Sequence, residues 1–208
     1  MIDTITQFVS AGLLDPAKGD GFVFGILKRT TTGHSTLDGA SWLDLDTERN
    51  AELVAMVREA GFKAVLHRAV DVLFSQCDSE TGSGRGDTVE RVMGAVQDCG
   101  FDGMLTSGGL GSAVGNVARL REVAAAAAER EGVEVIVGGG VRSGNLRTLC
   151  GSLDSGLREG KHVENTRAVW FHSSCLRINA EGQETFDREE AMALADGLSA
   201  LWIGRQGH

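Results

Sequence analysis

The sequence predicts an α/β protein, helices packed outside a parallel sheet, and two observations carry that prediction. Five short apolar segments recur along the chain, and each leads through a polar or glycine-rich turn into a stretch of helical periodicity. The segments are GFVFGIL (residues 21–27), KAVLHRA (63–69), FDGMLTSGG (101–109), VEVIVGGGV (133–141) and AVWFHSS (168–174). Runs this continuously apolar suit strands covered on both faces, as parallel strands are. They alternate with helices at roughly 30 to 45 residues, the spacing of right-handed βαβ crossovers. An open sheet and part of a (β/α) barrel both satisfy that pattern. A complete eight-unit barrel takes about 250 residues, and this chain has 208.

The elements follow in order. After the first strand, residues 28–46 (KRTTTGHSTLDGASWLDLD) read as a polar loop. Asp46 and Thr47 then cap a helix whose apolar track is Leu53, Val57 and Ala60, and Gly61 ends it. Residues 75–87 (SQCDSETGSGRGD), rich in Ser, Gly and charge, read as a second surface loop. Either loop is a solvent-filled insertion or a lid over a site. Asp87 with Glu90 three residues on resembles a capping box, ahead of the stripe Val89, Val92, Met93 and Val96. Val117, Leu120, Val123, Ala124 and Ala127 form the next stripe, and residues 145–153 a short helix after Ser143. Asp187 and Glu190 again look like a cap pair, and the tail offers Leu198, Leu201, Trp202 and Ile203 for docking on the body. No linker divides the chain, so residues 1–208 read as one domain.

Composition narrows the function classes. A formal charge of −9 speaks against nonspecific binding to nucleic acid or to an anionic membrane, since both need a basic surface. No apolar run is long enough for a transmembrane helix, and MIDTITQFVSAG lacks the basic start and apolar core of a secretory signal, so a cytoplasmic location is expected. Cys77, Cys99, Cys150 and Cys175 form no CxxC pair, which argues against a zinc knuckle or redox dithiol. Cys99 and Cys150 sit at the ends of helical patterns and read as small buried apolar groups.

In a parallel α/β sheet the loops leaving the strand C-termini share one side, and ligands bind there. Here those exits carry His67, Arg68 and Asp71; Thr106, Ser107, Gly108 and Gly109; Gly138, Gly139, Gly140 and Arg142; and His172, Ser173 and Ser174. Alternation along AVLH sends Val65 and His67 to one face of the sheet, where His67 and His172 can share an interior. An imidazole there exchanges protons, ligates a borderline metal, or serves structure through a hydrogen bond. Arg68 supplies a fork for carboxylate or phosphate, or pairs with Asp71 or Glu90. Asp71 orients Arg68 or His67, acts as a base, or caps the helix that follows. The segments TSGG and GGGVRSGN offer small side chains and free N–H groups for an anion, without the GK[ST] of a P-loop or the spacing of a dinucleotide fingerprint. The anion-binding candidates are therefore Arg68, Ser107, Gly108, Gly139, Gly140, Arg142 and Ser173; the metal candidates are His67 and His172, with Cys175 as a third. His34, His162 and His208 read as solvent-facing, and Trp42 and Trp170 as pins to the body.

The five segments, in this order and at this spacing, resemble the copper homeostasis CutC family from about residue 5 to about residue 175. The resemblance implies a TIM-type (β/α) barrel in which these segments are strands four to eight. It then implies a partial barrel, N-terminally incomplete, whose residues 3–25 begin with the third helix and whose open five-stranded arc has two exposed edges, a liability for aggregation. It also implies copper as ligand, a cytoplasmic and oligomeric protein, and a rim made by His67, Arg68, Asp71, Thr106, Ser107, Gly139, Arg142, His172 and Ser173. Two alternatives stand beside it. One is a lyase or isomerase acting on a small phosphorylated or carboxylated metabolite, with Arg68 and Arg142 binding the anion, His67 or His172 moving a proton and Asp71 in support. The other is a noncatalytic scaffold.

Overall fold

The structure is a computed structural model, and it describes residues 1–30, 42–76, 85–130, 132–158 and 169–206. In chain order its elements are α1 (Ile2–Ser10), β1 (Gly21–Phe24), β2 (Leu27–Thr30), β3 (Trp42–Leu45), α2 (Thr47–Glu59), β4 (Lys63–Leu66), α3 (Val70–Gln76), α4 (Arg85–Asp98), β5 (Gly103–Thr106), α5 (Val117–Ala128), β6 (Glu134–Val137), α6 (Ser143–Arg158), β7 (Trp170–Phe171), β8 (Leu176–Ile178), β9 (Glu184–Phe186) and α7 (Arg188–Gln206). Each of the five apolar segments thus contributes one strand. His34, Cys77, His162 and His208 lie outside the described residues.

The five strands form one parallel sheet in the order β1-β4-β5-β6-β7. That order never reverses. A right-handed crossover carries its helix to one face, so an unreversed series places every crossover helix on the same face. A doubly wound sheet would reverse its order and bury both faces. The chain therefore has the topology of an arc of a barrel, with β1 and β7 as its edges and no closure among the described residues.

Burial follows from this one-sided wrapping. Ala64, Leu66, Met104, Val135 and Val137 alternate onto the helix-covered face and are buried against Leu53, Val57, Val92, Val96, Leu120 and Leu149. Fully burying a side chain such as Leu66 stabilises the fold by about 1.5 to 3 kcal/mol. The other face is more open. Val65 and Ile136 are half-buried, and Val23 and Trp170 are each 54% exposed. Trp170 therefore does not pin its strand to the body.

Local signals explain the helix ends. Asp46 accepts from the N–H of Arg49 at 3.4 Å as N-cap of α2, and Gly61, in the left-handed region at φ +86°, carries the chain away from its end. The helix α4 begins at Arg85, which puts Asp87 inside its first turn instead of before it. At the start of α6, Ser143 is the first residue and the helix runs on to Arg158, beyond the short stretch expected. Cys150 consequently lies within a helix, not at its end.

The expected polar loop over residues 28–46 contains secondary structure. Its described ends, β2 and β3, pair antiparallel. Side-chain amides fix the pair to the body. Buried Asn50 accepts from the Ile26 N–H at 3.0 Å and donates to the Ile26 carbonyl at 2.8 Å, completing a rung that no strand supplies. Gln76 does the same for Leu43, at 2.8 and 3.0 Å. A second antiparallel pair, β8 with β9, closes over a turn in which Asn179 accepts from Glu181 and Gln183 and Gly182 takes φ +76°. Of the tail, Leu201 packs on the core while Leu198 is 37% exposed; the Trp202 and Ile203 side chains lie outside the described residues. No described helix is long and apolar enough to cross a membrane.

Replacing Asn50 with Ala leaves the part-buried Ile26 N–H without its acceptor, while the Ile26 carbonyl keeps the Asp46 N–H at 3.0 Å. Urea unfolding of the variant is expected to show a loss of about 1 kcal/mol, the lower end of the cost of an unpaired backbone group; an unchanged midpoint would refute the rung.

Candidate functional site

The residues after β4 form a tight turn, with Val70 donating to the His67 carbonyl and Asp71 to that of Arg68. This turn brings Arg68 and Asp71 beside the end of β5, where Thr106 and Ser107 leave the sheet. Asp71 is 3% exposed at its side chain, and all of its partners are donors. Its Oδ1 accepts from Thr106 Oγ1 at 2.5 Å and from the Ser107 N–H at 3.0 Å. Its Oδ2 accepts from Arg68 Nε at 2.8 Å and faces Ser107 Oγ at 2.8 Å. Asp71 therefore ties α3 and Arg68 to the end of β5 and does not cap its own helix. Glu90, the other acid considered for Arg68, pairs with Arg130.

Arg68 is held at three points. Besides Asp71, its Nη2 donates to Ser107 Oγ at 2.7 Å and to the Gly111 carbonyl at 3.3 Å. Ser107 Oγ has one proton and two acceptors in reach, Asp71 Oδ2 and the Gly109 carbonyl at 2.7 Å. The third strand exit closes on the guanidinium from the side. A Cβ on Gly139 would lie 2.9 Å from the Ser107 Cβ and 3.1 Å from Arg68 Cζ, and Gly139 has φ +90°. Only glycine fits there.

Gly108, Ser107, Arg142 and Ser173 are engaged within the chain. The N–H of Gly108 donates to Thr106 Oγ1, and that of Ser107 to Asp71. Arg142 Nη1 donates to Ser173 Oγ at 2.8 Å and to its own neighbour's carbonyl at Val141, and Nη2 reaches the Leu176 carbonyl. The start of α6 is filled by an acid of this chain. Glu190 accepts from the Ser143 N–H at 2.6 Å and from Ser143 Oγ at 2.7 Å. Asp187 does cap α7, accepting from the Glu190 N–H at 3.1 Å, but the Glu190 carboxylate reaches across to α6. Glu190 and Ser143 stand 47 positions apart, and nothing local in the sequence marks that pairing.

His67 and His172 both continue the ladder beyond the strand ends, donating to Phe24 and Val137 carbonyls at 2.8 Å. Alternation puts both on the open face, His67 two residues after Val65 and His172 two after Trp170. Both are exposed, and neither ring hydrogen-bonds any described residue. Two strands separate them, roughly 14 Å across a flat sheet; one ion could touch both only where the sheet curls. The ring of His172 lies 3.7 Å from the position of a Cβ on Gly138. Among the described residues no three of His, Cys, Asp and Glu gather as a metal cluster.

The thiols of the described residues, Cys99, Cys150 and Cys175, are all buried and so are poor partners for such a site. Cys175 is buried in the left-handed region at φ 47°, between β7 and β8. Cys99 is buried beneath α2, its Sγ facing the Thr47 carbonyl at 3.6 Å. Burial, reinforced by Asp98 and Asp46, pushes the Cys99 thiol up from 9.0 to about 11. Metal binding and thiol chemistry both require the thiolate.

Residues 25–163 match the model of the CutC family. Among solved structures, the chain is similar to one described as a candidate copper homeostasis protein, CutC, from Streptococcus agalactiae, at 21% identity and a TM-score of 0.38. That match covers 53% of this chain and 46% of the other, so the chain spans less than half of that protein's length. No curated protein matches the chain.

Substituting Asp71 with Asn leaves Arg68 without its counter-charge in a mostly buried setting. Chemical denaturation is expected to report a loss of about 3 kcal/mol, against about 1 kcal/mol for Ser107→Ala; equal losses would show that the carboxylate is not the anchor. For Cys99, the raised folded value means that its contribution to stability is full below pH 9 and fades as pH climbs towards 11. A thiol reagent at pH 8 should therefore spare Cys99 in the native chain and label it after unfolding, as mass spectrometry would read directly.

Proposed function

Because the chain belongs to the CutC family, we propose that it serves copper homeostasis and takes copper as its cargo at the strand exits, on the imidazoles of His67 and His172. The observation that supports this most is the shared placement of the two rings. Both extend the ladder on the open face, both are exposed, and neither is engaged by a described residue. Imidazole accepts Cu(II), whereas Cu(I) favours thiolate. Among the described residues the thiols of Cys99, Cys150 and Cys175 are all buried, whereas the two imidazoles are exposed. An ion shared by both rings needs the sheet to curl, and an unreversed parallel order with all crossovers of one hand is the topology of sheets that close into barrels. Two neutral donors give a labile site, which suits a protein that passes its metal on.

Calorimetric titration distinguishes this reading from nonspecific uptake. The wild type is expected to bind one Cu(II) per chain, and the His67→Ala, His172→Ala double variant to bind it at least about tenfold more weakly, the factor that about 1.4 kcal/mol gives. Equal affinity in the two proteins would remove the histidines from the site.

A further inference from the structure

We propose that Arg68, with the Gly139 backbone against its guanidinium and Gly140 next in the chain, is a binding site for a small monocarboxylate. The site shares no ligand with the copper proposal and stands without it.

The guanidinium is arranged before any ligand arrives. Its Nε and Nη2 are fixed on Asp71, Ser107 and the Gly111 carbonyl. Its Nη1, which carries two further N–H groups, donates to no described residue, and the side chain is 35% exposed. A planar fork already stripped of rotational freedom loses little entropy on binding a planar anion.

The neighbouring backbone is prepared in the same way. A Cβ on Gly139 would stand 3.2 Å from Arg68 Nη1, so the bare glycine is what leaves room at that nitrogen. The carbonyl of Gly139 is held by the Ala113 N–H at 2.9 Å, and that of Gly140 by Asn145 Nδ2 at 2.8 Å. Both glycines have positive φ, at +90° and +80°. Their own N–H groups donate to no described residue. Two successive N–H groups without a described acceptor thus lie in the loop that abuts the guanidinium.

Charge selects the class of anion. The phosphate cradle expected over GGGVRSGN is not available, since Glu190 fills the start of α6 and Arg142 is engaged by Ser173 and by the carbonyls of Val141 and Leu176. What remains is one guanidinium whose charge the buried Asp71 already balances. A dianionic phosphate would add two uncompensated charges beside that pair, in a chain of formal charge −9. A monocarboxylate adds one and matches the fork in shape.

The test is a nuclear magnetic resonance titration of the full ¹⁵N-labelled chain, at constant ionic strength, with sodium acetate, sodium chloride or sodium phosphate. Acetate is expected to shift the Gly139 and Gly140 amides saturably, with a half-saturation about tenfold below that of either other salt. Arg68→Lys, which keeps the charge and loses the fork, is expected to abolish the saturation. Equal responses to the three salts, tighter binding of phosphate, or undiminished acetate binding in Arg68→Lys would each overturn the proposal. Should Arg68→Lys fail to fold, the comparison of salts on the wild type decides alone.

Discussion

The carboxylate of Asp71 is the constraint on which the strand-exit rim depends. One buried acid receives a hydroxyl and a backbone N–H from the end of β5 and a guanidinium from the turn after β4, and faces a second hydroxyl. Through it the turn after β4, the helix α3 and the end of β5 are joined. Such a network is worth more than its separate bonds, because each donor is polarised by the others and none can be satisfied elsewhere in the core. Its immediate product is a fixed Arg68. The fixed Arg68 in turn defines how closely the loop after β6 can approach, and only a glycine at 139 permits that approach.

The sheet supplies the second constraint. Its unreversed order leaves one face to the helices and the other to a small set of half-covered apolar side chains and the two histidines. The apolar core and the polar rim are consequences of the same geometry, since a strand that ends at the rim passes from packed helices to open surroundings within two residues. This is why the sequence AVLHRAVD changes character so abruptly. The apolar part sits in the ladder, and the charged part binds the ladder of the next strand.

Periodicity made the large features legible. Five apolar runs became the five parallel strands, and the stripes Leu53–Val57 and Val92–Val96 became buried helix faces. What the sequence concealed is partnership over distance. Asp71 has the composition of a cap, and only the fold shows that Thr106 and Ser107 claim it first. Glu190 sits where a capping box would place it, yet its carboxylate is taken by Ser143. Asn50 and Gln76 look like ordinary helical polar residues, because a side chain standing in for a strand leaves no periodic trace. The short β8 and β9 were hidden by their length, although Asn179 to Gly182 carries turn chemistry.

The contact between Glu190 and Ser143 has a consequence for anions in solution. A carboxylate carried on the same chain acts as a tethered competitor, with a local concentration of the order of millimolar or more. Dissolved phosphate would have to outbid it continuously and would undock the start of α7 from α6 in doing so. The protein thus carries its own counter-ion at that position, tethered there by the helix that bears it.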